Sequence, residues 1–126
     1  MKIRLLGGLP YVTVSLAQNG RSLELEWVVL DTGSGASVFS ADELLRLGIE
    51  GRPDDRIHRI AGVGGVEYVI GKRVEGIKLG DMELRAVEIH IGAMDYGFPI
   101  QGILGLDFLL QVRAVIDLAT LEVRRA

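Results

Sequence analysis

The chain has 126 residues, no cysteine, a formal net charge of −3 and an apolar fraction of 48%. That length suits one domain, 1–126, with a modest core, and the missing cysteine excludes disulfides, thiolate zinc sites and a cysteine nucleophile. Basic residues are scattered, so there is no electrostatic footprint for nucleic acid; no long apolar run or charged-then-apolar leader marks a membrane segment or export, and a cytoplasmic location is expected. The apolar fraction is high for so small a chain: either both faces of many strands are buried, or a partner covers an apolar surface.

Met1-Lys2-Ile3 leads into a strand-like pattern, and Asn19-Gly20 is the preferred two-residue turn of a β-hairpin, type I′. Counting outward from it sets Leu16 opposite Leu23, Val14 opposite Leu25 and Val12 opposite Trp27. The other face then carries Ser15 with Glu24 and Thr13 with Glu26. Apolar meets apolar and polar meets polar, as a hairpin with one buried face requires.

Val28, Val29 and Leu30 then run into Asp31-Thr32-Gly33-Ser34. A carboxylate at the end of a buried strand is costly to ionise unless hydrogen bonds stabilise the charge. Gly33 lets the backbone turn tightly with its N–H near the carboxylate, and Thr32 and Ser34 add hydroxyl donors. The same residues also suit an ordinary strand-ending Asx turn.

Ser40-Ala41-Asp42-Glu43 reads as a capping box, opening a helix that carries Leu44, Leu45 and Leu47 and stops at Gly48. Arg52 to Asp55 is a polar connector. Residues 56–70 alternate about a glycine-rich turn as a second hairpin, and residues 73–91 supply strands broken at Gly80-Asp81. Ala93 to Pro99 is a loop, Ile100 to Leu104 a strand, and a short helix follows Gly105. Two last strands flank Leu118-Ala119-Thr120. Short strands with regular turns and one or two short helices predict an all-β fold, a compact closed β-barrel.

Two segments bear on Asp31. Ile60-Ala61-Gly62-Val63-Gly64-Gly65-Val66 is a glycine-rich turn between apolar runs; no Lys-Ser/Thr follows and no helix begins there, which excludes a P-loop. Ile103-Leu104-Gly105-Leu106-Asp107-Phe108-Leu109 is an apolar strand end followed by glycine. With Asp31-Thr32-Gly33 they stand in the order catalytic loop, flap, apolar-apolar-Gly strand. Over nearly its whole length the chain resembles the retropepsin-like aspartic proteases.

The resemblance implies an aspartic endopeptidase with no metal and no cofactor. Its catalytic loop would be Asp31, Thr32, Gly33 and Ser34. Its flap over an extended peptide would comprise Gly62, Val63, Gly64 and Gly65, and Val38 and Ile103 would be pocket walls. Two carboxyls are needed, one as base and one as acid, yet Asp-Thr-Gly occurs once. Two copies about a two-fold axis would supply the pair, making a homodimer with a peptide or protein substrate. Thr32 would then bond across the axis and Gly33 would lie along the substrate backbone. The alternative is a catalytically silent module of the same fold that binds peptide or dimerises.

Two positions depart from the retroviral pattern. An Asp two residues after Asp-Thr-Gly and an Arg after the later glycine usually pair there; this chain has Gly35 and Leu106. Ser34 replaces a common alanine, and a hydroxyl donated to Asp31 would favour its charged form. His58 and His90 are far apart in sequence without companion ligands and are expected to be structural. Asp54, Asp55, Asp81 and Asp95 lie in turn contexts.

Overall fold

The structure, a computed structural model, describes residues 1–62 and 65–126. Among the described residues ten strands form: β1 (Arg4–Leu6), β2 (Leu9–Gln18), β3 (Arg21–Leu30), β4 (Val38–Ser40), β5 (Ile57–Gly62), β6 (Gly65–Leu79), β7 (Met82–Gly92), β8 (Gly102–Leu104), β9 (Ala114–Asp117) and β10 (Glu122–Arg125). The helices are α1 (Ala41–Leu44), continued by a tighter turn at Leu45–Leu47, and α2 (Leu106–Gln111).

Eight strands share one sheet in the order β1-β2-β3-β8-β4-β7-β6-β5, and β9 pairs with β10. A further pairing of β2 with β6, at Ser15↔Lys78 to Ala17↔Gly76, returns the sheet on itself as a ring. The mostly-β class expected from the sequence is the one observed. Inside the ring lie Val12, Val14, Leu16, Leu25, Val28, Phe39, Leu44, Val74, Ile77, Leu79 and Leu104, all nearly inaccessible. Among the described residues, no helix is long and apolar enough to cross a membrane.

The first hairpin turns where its sequence requires. Asn19 and Gly20 both have positive φ, 55° and 71°, and Leu16↔Leu23, Ser15↔Glu24 and Val14↔Leu25 pair as counted. Further out the count fails. Val12 pairs with Val28 instead of Trp27, because Glu26 and Trp27 together face Thr13 in a β-bulge. The expected Val12–Trp27 and Thr13–Glu26 pairs therefore do not form.

The cause is tertiary. Trp27 is drawn to the segment before β8: its N–H donates to Gln101 Oε1 at 3.0 Å, and its carbonyl accepts from the Gln101 N–H at 2.7 Å. The bulge switches the core-facing set of β3 from Leu23 and Leu25 to Val28 and Leu30, while β2 keeps Val12, Val14 and Leu16 inside. A slip of one residue exchanges the two faces of a strand. Without the bulge, the odd-numbered positions leading to Asp31 would have pointed into the core.

Two other expectations are modified. Ser40 Oγ accepts from the Glu43 N–H at 3.4 Å, but only half of the capping box forms. The Ser40 N–H is given to the Gln101 carbonyl at 2.9 Å, and the Glu43 carboxylate pairs with Arg46 at 2.9 Å. Strand β6 also runs unbroken through Gly71-Lys72, since β7 pairs with it from Ile70↔Ile91 to Leu79↔Met82. Asp55 does more than turn the chain. Lys72, 2.7 Å away, holds its carboxyl below the ordinary carboxylate range and ties the connector to β6.

Candidate active site

Strand β8 lies between β3, parallel to it, and β4, antiparallel to it. The loop from Asp31 to Ser37 joins those two neighbours and must therefore pass over the end of β8. Asp31 sits at the crossing. Its N–H donates to the Leu104 carbonyl at 3.0 Å, extending the β3–β8 ladder by one bond. Its Oδ1 accepts the Gly33 N–H at 2.9 Å, and its carbonyl accepts the Ser34 N–H at 3.2 Å. The Asx turn and the strand-end carboxylate are thus one arrangement. Asp31 is partly exposed, and Thr32 and Gly33 are exposed.

Ser34 does not act as expected. Its hydroxyl donates to the Ala36 carbonyl at 2.7 Å, so its only proton is committed within the loop and not to Asp31. Ser34→Ala should cost about 1 kcal/mol of stability, the ordinary worth of one such bond. Urea unfolding of both proteins checks this; an unchanged midpoint would mean that the bond contributes nothing.

The loop is held by groups that the motif reading passed over. Ser37 is buried, and its Oγ donates to Asp107 Oδ1 at 2.6 Å while accepting the Gly105 N–H at 2.9 Å. The Ser37 N–H donates to Asp107 Oδ2 at 2.9 Å, and Leu106 N–H donates to the Ser34 carbonyl at 2.8 Å. Bonds to an ionised carboxylate are worth roughly twice neutral ones. Asp107 and Ser37 thus tie the loop to the start of α2, where the retroviral charge pair is missing at Gly35 and Leu106. The sequence signal was a carboxylate inside an apolar run, Ile103 to Leu109.

Gly105 is required by contact. A Cβ there would lie 2.6 Å from the Ser34 carbonyl oxygen and 2.7 Å from that of Ala36. Backbone groups at that distance cannot be displaced cheaply.

Of the remaining candidates, Val38 and Ile103 are direct partners across β4 and β8. Val38 is buried and Ile103 partly exposed. Gly62 and Gly65 pair at the end of the β5–β6 hairpin. Val63 and Gly64 lie outside the described residues.

A strand-end Asp-Thr-Gly loop, pinned over an apolar-apolar-Gly strand within a ring-like sheet, defines the retropepsin-like class of aspartic protease folds. The chain belongs to the aspartyl protease family: the family described as "Aspartyl protease" matches residues 12–108. Its structure is similar to that of a retropepsin-like aspartic protease from Rickettsia conorii, with a TM-score of 0.64 at 17% sequence identity. The match covers 92% of this chain and 82% of that one. No curated protein matches the chain.

Proposed function

We propose that the protein is a homodimeric aspartic endopeptidase whose catalytic pair is Asp31 from each of two copies. The observation that carries this reading is the single Asp-Thr-Gly loop, partly exposed and pinned, in a chain of the aspartyl protease family. Two carboxyls held close share one proton, the established behaviour of aspartic-protease dyads. The ionised one takes a proton from water as that water attacks the peptide carbonyl, and the protonated one donates to the carbonyl oxygen. Protonation of the amide nitrogen then completes cleavage. No cofactor is required.

Thr32 bonds across the two-fold axis, Gly33 lies along the substrate backbone, and Ser34 keeps the loop in shape. Gly62, Val63, Gly64 and Gly65 form the flap. Val38, Val63 and Ile103 favour apolar side chains beside the scissile bond, because a charge there would be desolvated without a partner. Exposed Leu5, Leu6, Tyr96 and Phe98 are apolar surface of the kind that a second copy would cover.

Digestion of a denatured mixed-protein substrate at acidic and neutral pH, with and without a statine-type inhibitor, tests the reading. Inhibitor-sensitive cleavage flanked by apolar residues is expected; no cleavage at any pH would favour a silent binding module. Specific activity should also rise with protein concentration near the dimer dissociation constant, since the site assembles by mass action. Activity strictly proportional to concentration from a species of monomer mass would sink the dimeric site.

A further inference from the structure

Two histidines expected to stand alone are brought together by the strand register, with a carboxylate between them. His58 on β5 pairs with Val69 of β6, and two residues on, Gly71 pairs with His90 of β7. Glu88 lies two residues before His90 on the same face of β7. His58, Gly71, Glu88 and His90 therefore share one face of three adjacent strands. The His58 and His90 rings meet edge to face, with centroids 5.0 Å apart. One ligand atom from each of His58, Glu88 and His90 can be chosen so that all lie within 4.8 Å of one another.

We propose that His58, Glu88 and His90 form a binding site for a divalent transition metal of the zinc type, linking β5 to β7 across β6. The donor set, two imidazoles and one carboxylate, suits such an ion. Bond lengths to zinc of about 2.0–2.2 Å place neighbouring tetrahedral ligands about 3.3–3.5 Å apart. His58 Nε2 lies 3.1 Å and His90 Nε2 3.8 Å from Glu88 Oε1, which bracket that edge.

Two further observations favour a ligand site over a simple ion pair. His58 Nε2 is buried without a hydrogen-bond partner among the described residues, so the short His58–Glu88 separation is not an aligned hydrogen bond. The floor of the cluster is Gly71, where a Cβ would come within 2.5 Å of Glu88 Oε1 and 2.8 Å of His58 Nε2. Any other residue would fill the space that the donors surround.

The site lies beside the loop already described without sharing its residues. The His90 N–H donates to the Ser37 carbonyl at 3.2 Å, and Val38 is the register partner of His90. A bound ion would cross-link the base of the β5–β6 hairpin to the strand next to β4. Its role is to hold that hairpin, and the assignment stands whether or not Asp31 cuts peptide bonds.

The test uses the full chain without an affinity tag, freed of metal by a chelator and titrated calorimetrically with Zn²⁺. One ion per chain is expected, with slower hydrogen exchange at residues 57–60. Glu88→Gln keeps the size of an exposed side chain, so it should fold and bind at least about tenfold more weakly, since even outer-shell partners change affinity by about that much. His58→Ala with His90→Ala should abolish binding. Absence of Zn²⁺ binding by the parent chain, or unchanged affinity in folded Glu88→Gln, would overturn the assignment.

Discussion

Asp31→Asn should abolish peptide hydrolysis while leaving the fold in place. The amide is close to isosteric, and its oxygen can still accept the Gly33 N–H that Asp31 Oδ1 accepts at 2.9 Å. In the proposed dyad it could neither take a proton from water nor share one with a second copy. Positioned proton transfer contributes on the order of 10²–10⁴-fold to rate, and here both the base and the acid depend on this position. We expect kcat/KM to fall by about 10⁴-fold or more, with the unfolding midpoint nearly unchanged. A variant that cuts as fast as the parent would remove Asp31 from the chemistry.

Gly105→Ala should damage stability and activity together. The added carbon would meet two backbone carbonyl oxygens, at 2.6 Å and 2.7 Å, both belonging to the loop that carries Asp31. Forcing a methyl group into packed surroundings costs about 1–3 kcal/mol. The Gly105 N–H bond to Ser37 Oγ and the Leu106 N–H bond to the Ser34 carbonyl span the same contact. Relief of the clash therefore moves the loop. Urea unfolding and kcat/KM measured on one preparation check the prediction. Parental values for both would mean that the loop is not held against this glycine.

Much of this was legible in local pattern. The Asn19-Gly20 turn and the inner pairs of the first hairpin depend on a few adjacent residues, and they form as read. So does the strand end at Asp31 with its Asx turn, because Gly33 N–H needs only the neighbouring carboxylate. The order of the Asp-Thr-Gly loop, the glycine-rich segment Ile60 to Val66 and the Ile103-Leu104-Gly105 strand was enough to indicate the family.

Other features followed from residues distant in sequence. Local chemistry let Ser40 and Glu43 cap each other and let Ser34 donate to Asp31. The distant Gln101 carbonyl took the Ser40 N–H; the Ser34 hydroxyl went to the Ala36 carbonyl two residues on, in a loop whose path is held by Asp107. A donor with one proton goes to the acceptor that the fold brings nearest, and spacing along the chain does not reveal which that is.

By itself the sequence determined the turns, the strand alternation and the position of one carboxylate at a strand end, since each depends on neighbours within a few residues. Only the tertiary structure decided which way that carboxylate faces, through a bulge drawn open by Gln101, and what anchors its loop, through Asp107 and Ser37. It alone placed Glu88 between His58 and His90. The physical reason is strand register: it couples residues far apart in sequence, and a shift of one position reverses every face.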